Sequence, residues 1–140
     1  MNADELPDWP AGTVAVLSTA GDAPHAIPVS TAVRAGPRRV LLALARRRAS
    51  LARLRAEPRC ALTVIAAGDV AFTAHGRAAI VEDPMTVSES VVAVAIDVDD
   101  MQRHADPRFA IEAGVGWRWV DAEAAARDAA IHEALRGLAG

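Results

Sequence analysis

Apolar residues along this chain come in short runs, some alternating and some continuous, broken by Gly, Pro and Asp at hairpin spacing. TVAVLST (13–19) is followed by the turn AGDAP, and HAIPVSTAV (25–33) alternates with Ile27, Val29, Thr31 and Val33 on one face. The turn RAGPR leads into RVLLALA (39–45). CALTVIAA (60–67), a Gly68–Asp69 turn, VAFTAHGRAAIV (70–81), VVAVAIDV (91–98) and AIEAGVGWRWV (110–120) complete about seven expected strands. Short strands separated in this way predict an antiparallel sheet closing into a barrel or sandwich. Pro28 has no N–H to give a ladder, so its strand belongs at an edge or carries a bulge. A bare edge calls for cover by another chain or a ligand.

Two helices interrupt the strands. Residues 50–56 form a short one with Leu51 and Leu54 as its apolar pair, ended by Pro58. Residues 122–139 form a longer one, with Ile131, Leu135 and Leu138 on one face and Asp121 as N-cap. Glu123 in its first turn and Arg136 in its last suit the helix dipole, whereas Arg46, Arg47 and Arg48 crowd the positive end of the short helix. Either these three splay into water or an anion sits among them. Ser50 beside them adds a hydroxyl, and a strand end followed by a helix start is where backbone donors converge on phosphate. The arginine fork matches phosphate oxygens two at a time.

Composition bounds the rest. The 140 residues, 52% hydrophobic, suit a single domain over 1–140. The longest apolar stretches, VVAVAI and LLALA, fall far short of the ~20 residues of a membrane span. The N-terminus MNADELPDWP is acidic, unlike a signal peptide. With the one cysteine, Cys60, excluding an intrachain disulfide, these features lead us to expect a cytoplasmic protein away from membranes. All 15 basic side chains are arginine. Nine of them lie between Arg34 and Arg59, and the acidic residues follow in the next half. That asymmetry suggests a local anion site or two faces that meet in an oligomer. A net charge of -3, with no aromatics interleaved among the arginines, points away from nucleic acid.

Motifs for protein-borne catalysis are missing. His25, His75, His104 and His132 lack metal-ligand spacing, no G-x-S-x-G or Walker loop occurs, and GVG at 114–116 is a lone fragment. A cofactor therefore carries any chemistry. Trp117 and Trp119 share one face of their expected strand, either as packing surface or as a wall against a planar ring.

The order of pieces is familiar: APHAIPVS, a Gly–Pro turn, RRVLLAL, the arginine cluster, a short helix, EPRCALTV, then HGRAAIVED. It resembles the flavin-binding split β-barrel superfamily, the pyridoxamine 5′-phosphate oxidase-like proteins, over roughly residues 11–84 and more loosely through the WRW segment and closing helix. The resemblance implies a mainly β, antiparallel split β-barrel of about six to seven strands, with a short helix after strand 3 and a C-terminal helix. It also implies a homodimer holding FMN, or the deazaflavin F420, between subunits, with hydride transfer to or from a small organic substrate. Carried onto this chain, Arg46, Arg48 and Ser50, with Arg47 beside them, become the phosphate clamp. The backbone of Ile27, Pro28, Val29 and Ser30 becomes the ring edge, Leu44 an apolar wall and Trp117 a candidate ring contact. This chain departs from the pattern at Ala49 and Ser50, where many members carry an Arg–Lys pair, and at His25, where the oxidases proper carry arginine. Other branches bind haem, which leaves a non-catalytic flavin or haem carrier as the alternative.

Overall fold

The computed structural model describes residues 5–140; residues 1–4, the start of the acidic stretch noted above, lie outside the described residues. Seven strands and two helices follow in chain order. They are β1 (Ala15–Thr19), β2 (His25–Val29), β3 (Val33–Gly36), β4 (Arg39–Ala45), α1 (Ala49–Ala56), β5 (Arg59–Ala66), β6 (Val70–Glu82), β7 (Val91–Arg103) and α2 (Ala122–Ala139). All pairings are antiparallel, in the order β2-β1-β5-β6-β7-β4-β3. The sheet is mainly β architecture of the expected kind and is not closed, since β2 and β3 end it on either side.

The two hydrophobic patterns have different causes. In β4, Val40, Leu42 and Leu44 point into the main core with Val92, Val94 and Ile96 of β7, while Leu41 and Ala43 face the other way with Ala93 and Ala95. That second face is covered by Ile131 and Leu135 of α2. Burial on both faces explains why these strands read as continuous apolar runs. Alternating β1 and β5 are covered on one face only, leaving Val16 and Ile65 exposed.

Two expectations are corrected. The run 25–33 is two strands, because after Val29 the chain turns away from β1 and Val33 pairs with Leu41 of β4 instead. Thr31 marks the switch: its hydroxyl donates to the Ala43 carbonyl (2.9 Å) and accepts from the Ala43 N–H (3.0 Å), satisfying a stretch of β4 edge that no strand reaches. The short helix therefore follows the fourth strand. The run 110–120 is no strand at all. Residues 104–120 cross the sheet as an irregular strap, held by the Ile111 N–H on Asp69 Oδ1 (2.7 Å) and Trp117 Nε1 on the Gly12 carbonyl (2.8 Å). Gly114 lets it lie close, since a Cβ there would stand 3.0 Å from the Ile65 carbonyl oxygen.

The helices begin where the sequence places them. The Asp121 carboxylate accepts from the N–H groups of Glu123 and Ala124, capping α2. α1 ends at Glu57, whose extended backbone (φ -142°, ψ 107°) is what the following Pro58 imposes. Among the described residues no helix is long and apolar enough to cross a membrane.

Candidate functional site

The site begins at the gap between edge strand β2 and the end of β4. Pro28 sits in β2, and β2 pairs only with β1, so its outer edge is open. α1 bridges the gap, touching β1, β2 and β4, with Ser50, Leu51 and Leu54 turned inward. The chain leaves β4 at Ala45, fixed by the Arg46 N–H on the Ser90 carbonyl (2.9 Å), and enters α1 with Arg48 as N-cap residue. The Leu51 N–H turns back to the Arg48 carbonyl (3.1 Å), but no side chain caps that first turn and no acidic residue lies in it, so its partial positive charge is uncompensated.

The arginine-rich window sorts into two sets. Arg34 and Arg38 donate to backbone carbonyls, and Arg39 faces Asp97 across the β4–β7 ladder. Arg46 and Arg55 share Asp83 at 3.3 and 2.6 Å. Arg53 donates to Thr19 Oγ1, and Arg59 meets Glu57 at 2.6 Å, a pair that holds the Glu57 carboxyl below its ordinary range. Most of the basic window is thus engaged within the chain: by Asp97 across the β4–β7 ladder, by Asp83 after β6, by Glu57 and by backbone carbonyls. Only the side chains of Arg47 and Arg48 in this window have no partner, backbone or side chain, among the described residues. Both are exposed at the mouth of α1. A cleft of about 720 Å³ opens beside Arg47, lined by Ala45, Arg46, Arg47, Glu89 and Ser90, with Arg48 next in the chain outside that lining.

Other expected site residues fall elsewhere. Ser50 is buried, its hydroxyl 3.0 Å from His25 Nε2, and this contact ties α1 to β2. Leu44 is 2% exposed, inside the main core. Ile27 is partly buried against the same core. Pro28, Val29 and Ser30 line a second cleft of about 350 Å³, whose opposite wall is Trp117, Arg118 and Trp119. The structure therefore brings Trp117 to the β2 edge, although the two are far apart in sequence. This second cleft shares no lining residue with the arginine cleft.

Sequence reading missed a cluster on α2. His132 is buried, with Nε2 at 3.1 Å from the Ser30 carbonyl and Nδ1 at 3.4 Å from Asp128. It pins α2 to the residue that follows β2. The i,i+4 spacing of Asp128 and His132, beside core residue Ile131, was the available signal. Cys60 is not a reactive thiol, since burial pushes it up to about 11.

No protein-family model and no curated protein matches the chain. Solved structures do. A candidate pyridoxamine 5′-phosphate oxidase from Lactobacillus delbrueckii superposes with a TM-score of 0.60 at 12% identity, over 73% of this chain and 97% of that one. An FAD-binding protein from Mesorhizobium loti gives 0.54 at 17% identity, covering 65% and 84%. An F420 reductase gives 0.56 at 14% identity, covering 66% and 91%. The open seven-stranded sheet and the short helix packed against β1, β2 and β4 agree with these superpositions: this chain shares the fold of those three proteins.

Proposed function

We propose that this protein binds a phosphorylated flavin, FMN or its deazaflavin counterpart F420, and acts as an oxidoreductase on a small organic substrate. The observation that carries this reading is the unpaired Arg47–Arg48 couple at the uncapped start of α1, beside an open gap in the barrel. The same architecture occurs in an FAD-binding protein and an F420 reductase.

The residues fit such a group with one adjustment. Arg46 is engaged by Asp83 and the Ser50 hydroxyl by His25, so the clamp moves to Arg47, Arg48 and the first-turn N–H groups of α1. Forked guanidiniums and helix N–H groups both favour phosphate oxygens. Glu89 on the cleft opposes an anion there, which makes Arg47 and Arg48 the more necessary. With Leu44 inside the core, the ring surface falls to the Pro28–Ser30 backbone and Trp117. A bound flavin supplies hydride transfer; the chain contributes binding, orientation and exclusion of water. Arg47 of the clamp and the ring edge line separate clefts in one chain, so the reading includes a homodimer in which a second copy completes each site at the seam.

Titration of the purified protein with FMN and with F420, followed by flavin fluorescence and absorbance, tests this directly. Saturable quenching by one of them at micromolar concentration, with a dimer in sedimentation, is the expected result. Binding of neither removes the proposal, and a Soret band on haem titration would replace it with a non-catalytic haem carrier.

A further inference from the structure

The strap and α2 line an open cavity of about 520 Å³ that the proposed cofactor clamp does not use. Its walls include Trp117, Arg118, Trp119, Asp128, His132 and Arg136. The size suits a small organic molecule, for which pockets run from roughly 300 to 1,000 Å³.

Three features define what would fit. The Trp117 and Trp119 rings stand edge to face, 5.4 Å apart at 80°, and each remains about half exposed (40% and 44%). Two half-covered indoles at one cavity offer apolar surface to a flat ring. Arg118 and Arg136 reach the same space from opposite elements, the strap and α2, and neither has a side-chain partner among the described residues. The one carboxylate lining the cavity, Asp128, is turned to His132 Nδ1 at 3.4 Å. Two unpaired guanidiniums against one histidine-paired carboxylate leave the cavity in need of an anion.

From this geometry we infer that the cavity binds a planar aromatic carboxylic acid, its ring against the tryptophans and its carboxylate on Arg118 and Arg136. Trp117, Arg118 and Trp119 also form the wall of the cleft at Pro28–Ser30, so the acid lies one residue layer from the proposed ring edge. Naming the acid as the substrate rests on the function proposed above; its binding does not.

The experiment is calorimetric titration of cofactor-free protein with 2-naphthoate and with the neutral isostere 2-naphthamide. The acid should bind roughly tenfold more tightly, the lower range for charge-assisted hydrogen bonds. That preference should vanish in Arg118→Met/Arg136→Met, with amide binding kept. Should the double variant lose its native circular dichroism, Arg118→Met alone, on the exposed strap, should still reduce the preference severalfold. Failure of the acid to bind saturably, or equal affinity for acid and amide, overturns the inference. Displacement of bound naphthoate by FMN also overturns it, since the cavity would then be the cofactor's own. Naphthoate binding in a protein that takes neither FMN nor F420 sustains the cavity assignment while removing the proposed function.

Discussion

Replacing Arg47 and Arg48 together by alanine separates a ligand role from a structural one, because the two roles predict opposite signs. Both side chains are exposed and unpaired, so nothing in the folded chain is lost with them. They stand at the positive end of α1, where a cation costs about 0.3–1 kcal/mol and no acidic residue offsets it. The unliganded variant should therefore be as stable as the parent or more stable, by about 0.5 kcal/mol in urea titration. Ligand binding should move the other way. Exposed charge pairs contribute up to about 1 kcal/mol each, and two of them on one phosphate give ~2 kcal/mol, or roughly 30-fold in Kd. FMN affinity, read by fluorescence quenching, should fall by that factor, while riboflavin, which lacks the phosphate, should change less than about twofold. Arg46→Ala, already engaged by Asp83, should weaken FMN less than the double variant does. Equal losses for FMN and riboflavin, or a variant that is less stable without ligand, would refute the reasoning.

Further outcomes follow from the scaffold. Gly76→Ala should destabilise by about 3 kcal/mol or more, since its Cβ would meet the backbone of Asp97 in the β6–β7 ladder, with the carbonyl carbon 2.9 Å away; an unchanged urea midpoint would contradict this. Asp121→Ala removes the α2 cap and should cost ~1 kcal/mol, with Asp121→Asn recovering most of it. Cys60 is held protonated by burial, with a folded pKa of about 11 against 9.0 for a solvent-exposed thiol. The unfolded chain releases that proton first. Stability is therefore intact below about pH 9 and falls between pH 9 and 11, by ~2–3 kcal/mol relative to Cys60→Ala measured in parallel. A parallel pH profile for the two proteins would show that the thiol is not desolvated.

Local signals in the sequence were sufficient wherever a single element answers to its own residues. Apolar runs between turns marked β1 and β5, Asp121 and Pro58 marked helix limits, and Pro28 marked an edge strand that the sheet order now shows. Continuous apolar runs marked β4 and β7 as strands, but their cause, a core on each face, depends on where α2 docks. The same limit explains the two errors. WRWV alternates like a strand, yet a strand needs an edge to pair with, and the strap is held by side chains and close backbone contact instead. The run at 25–33 looked unbroken because nothing local records that Thr31 will bind Ala43.

What the sequence by itself determined is therefore the inventory: a small antiparallel β domain, two helices, and a cluster of cations at the start of the first. Which cations are free was decided only by tertiary structure. Seven arginines between Arg34 and Arg59 find partners through strand register, loop carbonyls and Asp83, leaving Arg47 and Arg48. Folding likewise withdrew Leu44 and Ser50 inward and carried Trp117 to the β2 edge. The physical reason is that a side chain's availability depends on pairing and burial against residues distant in the chain, and neither is encoded in its immediate neighbours.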